Sequence, residues 1–210
     1  EPYKQLYYNI LIYRTPHKRN IYGTPSDSCG DYAWIQHMIC SMSSGKGRMA
    51  VVMPQGILFR GNQEAEIRKQ LVESDLIEAV VTLGDKLFYG TGLSPCFLII
   101  RRMKPAHHSG RILMIDGSKI LTQKRAQNIL EENDIDRLYS LYQNYSDEED
   151  YSRIVTLQEI RDKEYNLSPN RYVVYHKEEI RPYVEVLAEF KHAYEDVKRL
   201  EKEFSLLINA

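Results

Sequence analysis

Four short apolar runs constrain the fold of this chain more than any other feature. They are Arg48-Met49-Ala50-Val51-Val52-Met53, Leu76-Ile77-Glu78-Ala79-Val80-Val81-Thr82-Leu83, Pro95-Cys96-Phe97-Leu98-Ile99-Ile100-Arg101 and Gly110-Arg111-Ile112-Leu113-Met114-Ile115-Asp116. None shows the period-two alternation of a strand with one wet face. Runs of this kind read as strands buried on both faces, and such a sheet needs helices over it. A helical period over Asn62–Ser74 separates the first two runs, with Ile67, Leu71 and Val72 on one side and Glu64, Lys69 and Glu73 on the other. Strand, helix, strand is the order of an α/β sheet with crossover helices. The short link Lys104-Pro105-Ala106-His107-His108-Ser109-Gly110 predicts a turn, and an antiparallel pairing of the last two strands at one edge. The runs amount to half of a doubly wound sheet.

The flanks divide the chain further. Tyr7-Tyr8-Asn9-Ile10-Leu11-Ile12-Tyr13 has the texture of a strand, followed by loop chemistry to Ser28. Asp31 is placed to cap a helix with Trp34, Ile35, Met38, Ile39 and Met42 on its apolar face, ending at Gly45-Lys46-Gly47. After Leu121 an amphipathic helix is expected over Asn128–Tyr145, then the acidic run Asp147-Glu148-Glu149-Asp150 and a short helix at Leu157–Asp162. Glu178–Ile208 carries apolar residues by threes and fours, and at about 1.5 Å per residue that helix is roughly 45 Å long. The expected division is 1–120, a partial α/β domain; 121–176, a mixed helical subdomain; and 177–210, one long amphipathic helix.

Composition closes off other classes. Of 210 residues 43% are hydrophobic and 27% charged, which excludes a collagen, a disordered tail and a small disulfide-stapled scaffold. Lys plus Arg number 28 against 29 Asp plus Glu, so nucleic acid is not coated by bulk charge, although a local basic face is compatible with that total. Sixteen tyrosines predict contact surfaces beyond a minimal core. Cys29, Cys40 and Cys96 form no CxxC pair, which fits a reducing cytoplasm. No run approaches the 18 or so apolar residues of a membrane span, and Glu1 to Lys4 do not open a signal peptide. The chain starts on Glu1 rather than Met and is read as a piece of a longer protein.

Two connections carry the local chemical signal. Leu87-Phe88-Tyr89-Gly90-Thr91-Gly92 sets two aromatics against two glycines at the sheet edge. Glycines admit a ligand close to the backbone and aromatics stack on flat rings, although a hinge loop with tucked aromatics has the same composition. Pro54-Gln55-Gly56 follows a buried strand, where open α/β sheets bind ligands, and where an ordinary strand-to-helix turn also places Pro and Gly. Ser44-Gly45-Lys46-Gly47 lacks the residues of a phosphate-binding P-loop, and there is no GxGxxG or GxSxG. His107-His108 reads as a surface turn, His37 as a helix-surface histidine, and no metal site is expected. Arg101, Arg102, Lys104 and Arg111 read as solvated charge at a strand end.

Taken in order, these blocks say more than they do singly. Gly30-Asp31-Tyr32-Ala33-Trp34-Ile35-Gln36-His37-Met38, Val51-Val52-Met53-Pro54-Gln55-Gly56-Ile57-Leu58-Phe59, Glu66-Ile67-Arg68-Lys69-Gln70-Leu71, Asp75-Leu76-Ile77-Glu78-Ala79-Val80-Val81, Leu87 to Cys96, Met114-Ile115-Asp116-Gly117-Ser118 and Tyr165-Asn166-Leu167-Ser168-Pro169-Asn170-Arg171-Tyr172-Val173 follow one another at fixed spacing. The series resembles the C-terminal part of the modification (M) subunit of type I restriction-modification systems, which are S-adenosylmethionine-dependent DNA adenine-N6 methyltransferases. The implied fold is the C-terminal half of a doubly wound, Rossmann-like methyltransferase sheet with a helical C-terminal extension. Two family motifs are absent from this sequence: the cofactor-binding glycine loop and the Asn-Pro-Pro-Phe/Tyr that grips the target adenine. The implied reaction, methyl transfer to adenine N6 in DNA, therefore belongs to the intact subunit. This chain alone is expected to be inactive and to hold no catalytic residue. The alternative is a non-catalytic assembly module that pairs with an S-type subunit or a separate N-terminal half.

The resemblance also implies roles. Pro54, Gln55, Gly56 and Phe59 would form the rim of the active-site crevice, and Phe88, Tyr89, Gly90, Thr91 and Gly92 would lie by the pocket of the flipped adenine, where stacking returns about 1–3 kcal/mol per base. Asp31 and Tyr32 would open the helix beside the S-adenosylmethionine site. Arg60, Arg68 and Lys69 are candidates for DNA phosphates, with solvent-facing helix charge as the plain alternative. Val184, Leu187, Tyr194, Val197 and Phe204 would face a helix of the specificity (S) subunit. The implied partners are DNA and the S and restriction (R) subunits, in the cytoplasm.

Overall fold

A computed structural model describes residues 19–26, 29–176 and 183–208. The expected strand at Tyr7–Tyr13 lies outside the described residues, as do positions 178–182 of the terminal helix. The first compact unit runs to Tyr175, and the second comprises His176–Ala210.

The first unit is built on one sheet. Its strands are β1 (Arg48–Pro54), β2 (Ile77–Leu83), β3 (Pro95–Arg101), β4 (Arg111–Gly117) and β5 (Ser152–Thr156), arranged β1-β3-β2-β4-β5. β3 is antiparallel to both β1 and β2, with Val51 opposite Leu98 and Val80 opposite Leu98 on its other side. β2 and β4 run parallel, and β5 closes the far edge antiparallel to β4. Every residue of β2 is buried, as its unbroken apolar run requires.

The helices form the outer layers. α1 (Asp31–Ser41) and α2 (Asn62–Glu73) cover one face, where Tyr32, Ile35, Ile39, Ile67 and Leu71 meet Val80, Leu98, Ile100, Ile112 and Met114. α3 (Glu132–Asn144) covers the other, where Leu141 packs with Ala79, Val81, Leu113 and Ile115. From Ala79 onward in β2, and through Ile112–Ile115 in β4, residues alternate between these two clusters, which defines a three-layer domain; a register irregularity separates Ile77 from Ala79. α4 (Leu157–Asp162) starts on a capping box, in which the Thr156 hydroxyl accepts from the Glu159 amide and the Glu159 carboxylate accepts from the Thr156 amide. The second unit contains α5 (Tyr183–Ile208). No helix among the described residues is long and apolar enough to cross a membrane.

Several expectations are corrected. β1 is not buried on both faces: Met53 is its only buried residue, and among the described strands it has β3 as its single neighbour. The last two apolar runs do not pair with each other. β3 inserts between β1 and β2, and the nine residues from Arg102 to Gly110 carry the chain across β2 to its far side. Segment 121–176 is no separate subdomain, since its β5, unforeseen in the sequence, joins the same sheet. Asp31 lies in the first turn of α1 and Gly30 takes the cap position. The buried face of α1 is Tyr32, Ala33, Ile35, Gln36 and Ile39, while Trp34 is exposed. Gln36 is inside because it has partners there: its Oε1 accepts from the Tyr22 amide at 2.8 Å and its Nε2 donates to the Gly23 carbonyl at 3.0 Å.

Of the basic group at the strand end, Arg111 is exposed as expected, but Arg101, Arg102 and Lys104 are not solvated charge. Lys104 is half-buried as a residue with its side chain 3% exposed, and it donates to Asp75 at 2.6 Å and to the Arg111 carbonyl at 2.8 Å. Arg101 donates to buried Glu78 at 2.9 Å, and Arg102 donates to the Ile39 carbonyl at 2.6 Å. His108 leaves the surface as well, with Nδ1 3.0 Å from Glu78 and its ring stacked on Tyr145. Tyr142 completes the set, donating to the other Glu78 oxygen at 2.9 Å. Burial pushes the Glu78 carboxyl upward, but the hydrogen bonds from His108, Arg101 and Tyr142 outweigh it and hold the group below the ordinary range.

Candidate functional site

The parallel sense of β1, β2 and β4 brings their carboxyl ends to one edge of the sheet, the edge at which open α/β sheets bind ligands. At that edge Gln55 ties two connections together. Its side-chain Nε2 donates to the Leu83 carbonyl at 3.1 Å and the Pro95 carbonyl at 3.3 Å, and its backbone amide donates to Ser94 at 3.3 Å. One side chain thus joins the end of β1, the end of β2 and the start of β3. The loop from Gly84 to Ser94 begins where no other residue fits, since a Cβ on Gly84 would lie 2.1 Å from Leu121 Cδ2 and 2.8 Å from the Ser118 carbonyl. Gly90 has φ +75°, in the left-handed region that glycine enters without strain.

A second clamp holds this loop from outside. Asn128 is buried; its Nδ2 donates to the Asp85 carbonyl at 3.0 Å and to the Asp85 carboxylate at 3.2 Å, and its amide donates to the Lys86 carbonyl. Gln127 donates to the Leu87 carbonyl at 2.9 Å. These contacts span about forty positions of chain and no local pattern announces them, so reading the sequence missed both residues.

So held, the loop leaves its aromatics outside. Phe88 is 49% exposed and Tyr89 92%. Pro54, Phe88 and Thr91 line one shallow pocket with Val52 and Leu93, and Phe88 also borders a second, of about 290 Å³, with Leu87, Phe97 and Leu130. Of the nine residues expected at the rim, these three line a single hollow and Gln55 fastens it. Tyr89, Gly90 and Gly92 stand on the same loop without lining it. Phe59, 53% exposed, opens instead onto a different groove with Asn166 and Arg171.

The remaining candidates are engaged elsewhere. Arg60 forms ion pairs with Asp31 and Glu64, the latter at 2.5 Å. Arg68 is 2% exposed and donates to the Tyr165, Ile57 and Arg60 carbonyls at 2.8, 3.2 and 2.8 Å. Lys69 is exposed, 5.7 Å from the Tyr165 ring. Tyr32 is buried and its hydroxyl donates to the Ile57 carbonyl at 2.7 Å. The Asp31 Oδ2 is held by Arg60 and the Tyr32 hydroxyl donates to a carbonyl, so both side chains are engaged within the protein. Cys29, Asp31 and Glu64 bring possible metal-ligand atoms within 4.8 Å of one another, but the Arg60 guanidinium bridges the two carboxylates where a cation would sit. Burial pushes the Cys29 thiol up to about 11, with the neighbouring acids adding to it, so the sulfur stays protonated near neutrality. On α5, Val184, Tyr194, Val197 and Phe204 are exposed and Leu187 is half-buried.

Known proteins share this arrangement. The family model of the N-6 DNA methylases matches residues 1–180. The MjaVII methylase subunit of a type I restriction enzyme from Methanocaldococcus jannaschii is 36% identical over 208 residues, which is 94% of this chain and 35% of the relative. The HindI methylase subunit from Haemophilus influenzae is 31% identical over 72% of this chain and 35% of its own length. The crystal structure of a type I restriction-modification methyltransferase subunit from Streptococcus thermophilus superposes with a TM-score of 0.70 at 29% identity, over 75% of this chain and 33% of that one. The chain thus spans about a third of the length of the curated relatives it matches. With five strands, their flanking helices and the ordered sequence blocks all in agreement, the chain belongs to the N-6 DNA methylase family, among proteins similar to the methylase subunits of type I restriction enzymes.

Proposed function

We propose that this chain forms one wall of the active-site crevice in a type I modification subunit that transfers a methyl group from S-adenosylmethionine to adenine N6 in DNA. The observation that carries the reading is the Gln55 tie, which sets the Pro54 turn and the Phe88 loop side by side at the carboxyl edge with Phe88 and Tyr89 uncovered. A base turned out of a duplex loses its stacking, and an exposed ring beside its pocket restores about 1–3 kcal/mol. Pro54, Gln55 and Gly56 shape the rim, and Gly90 and Gly92 keep the loop low enough for close approach. Asp31 and Tyr32 stand near the cofactor without holding it. Cofactor binding and the gripping of the adenine amino group come from the rest of the subunit, so the chain alone is inactive. α5 offers the Val184, Leu187, Tyr194, Val197 and Phe204 stripe to a helix of the S subunit, with the R subunit joining the complex in the cytoplasm. As a pure assembly module the chain would leave Phe88 idle.

The test is Phe88→Ala in a subunit that joins this chain to the remaining two-thirds of a relative's length. The expected result is a methylation rate on duplex DNA lower by about tenfold or more, the kinetic equivalent of one lost base stack. An unchanged rate removes Phe88 from the base pocket and leaves the assembly reading.

A further inference from the structure

The groove onto which Phe59 opens lies apart from the Phe88 hollow, and its charge is unusual. It has a volume of about 600 Å³ and runs between the start of α2 and the segment from Lys163 to Arg171. Arg68 belongs to its wall, and all three hydrogen-bond partners of that buried guanidinium are backbone carbonyls. Lys163 donates to the Arg171 carbonyl and lies 4.1 Å from the Tyr172 ring centre. Arg171 is exposed, and no carboxylate pairs with Arg68, Lys163 or Arg171 among the described residues. Carbonyls and a ring orient a cation without neutralising it, so the groove keeps three positive charges against one carboxylate, Glu164. Low-dielectric walls focus such a field.

The wall is also held in a costly shape. Glu164 and Tyr165 both have φ +55°, two consecutive non-glycine residues in the left-handed region. Such a conformation costs of order 1–3 kcal/mol per residue and persists only where surrounding structure fixes it. Here the Arg68–Tyr165 hydrogen bond and the Leu167 amide on the Leu58 carbonyl do so. The Asn166 side chain lines the same wall and adds a hydrogen-bonding group.

We infer that this groove binds the phosphodiester backbone of DNA, with Arg171 and Lys163 contacting phosphate, Arg68 supplying field from the wall and Phe59 packing against a sugar or base at the mouth. The inference rests on the reading of the chain as part of a DNA-modifying protein, and it assigns the backbone contact to Arg171 and Lys163 rather than to Arg60, which two carboxylates already neutralise. It is tested by fluorescence anisotropy of the whole chain with a short labelled duplex across a range of salt concentrations. Arg171 is exposed and Arg171→Ala leaves the fold intact, while Lys202→Ala on α5 removes the same charge elsewhere. Each phosphate contact contributes about one to the slope of log affinity against log salt, so Arg171→Ala lowers that slope by about 1 and Lys202→Ala leaves it unchanged. Amide shifts in the NMR spectrum of the chain should map the duplex to residues 163–171. Equal slopes for wild type and Arg171→Ala, or no duplex binding at all, overturn the assignment. Shifts that inorganic phosphate reproduces and duplex DNA does not compete with make this a free-anion site, and overturn it too. None of these readouts depends on methyl transfer, so its failure and the failure of the active-site reading are separable.

Discussion

At the scale of single residues, the buried polar groups of this chain act mainly to hold elements together. Glu78 is the sharpest case, a carboxylate 1% exposed that receives Arg101, His108 and Tyr142 at 2.9–3.0 Å. Its pKa is held below the ordinary carboxylate value, so the stabilisation it provides is present at neutral pH and is lost as pH falls through the folded-state value. Glu78→Gln keeps the shape and removes the charge. The expected cost at pH 7 is about 3 kcal/mol, the usual scale for breaking a buried pair from one side. The gap between variant and wild type should narrow as pH drops below about 4, where unfolded carboxylates protonate. Urea unfolding of both proteins at pH 7 and near pH 3 measures this, and a gap of equal size at both means that Glu78 contributes packing rather than charge.

At the scale of elements, the question is what keeps two connections in register at the carboxyl edge. Gln55 does most of it, with three hydrogen bonds to carbonyls of Leu83, Pro95 and Ser94. Gln55→Ala removes two of them and leaves the backbone bond. The expected result is a loss of about 1–2 kcal/mol in global stability, with a larger local effect: amide exchange across Phe88–Ser94 speeds up while exchange in β2 changes only by the global amount. Uniform acceleration would show that the loop is held by the Asn128 clamp alone. What the sequence made legible follows the same division between local and distant forces. The apolar run of Ile77–Leu83 and the helix at Leu157–Asp162 were readable because neighbouring residues determine them. The order β1-β3-β2-β4-β5 was not, because a nine-residue link permits either a hairpin or a step across a strand, and only the pairing of distant edges decides. Asn128 and Gln127 were invisible for the same reason. Arg68 and Lys104 read as solvent-facing charge because nothing nearby in sequence shows the carbonyls and carboxylate that take them inside. At the candidate site the Pro54 turn and the Phe88 loop were legible as composition, and their adjacency was not.

At the scale of the whole molecule, the described sheet has β1 at one edge and β5 at the other. β5 pairs with β4 and carries one isolated bridge, Glu148–Ser152, on its other side; β1 pairs only with β3 among the described strands, and Val52 is 44% exposed. An unpaired, partly apolar edge strand templates the addition of another strand. The chain covers about a third of its curated relatives, and its sequence contains no GxGxxG. These facts converge on one expectation: the remaining part of the subunit docks along β1 and brings the cofactor site with it. Calorimetric titration of the chain alone with S-adenosylmethionine should give no heat of binding in the micromolar range. Adding the remaining two-thirds of a relative's length should produce one-to-one binding, together with new exchange protection of β1 amides that do not face β3. Protection without cofactor binding would place the docking surface correctly and the cofactor site wrongly. One-to-one binding by the isolated, folded chain would overturn the division altogether, because the cofactor site would then lie within this chain.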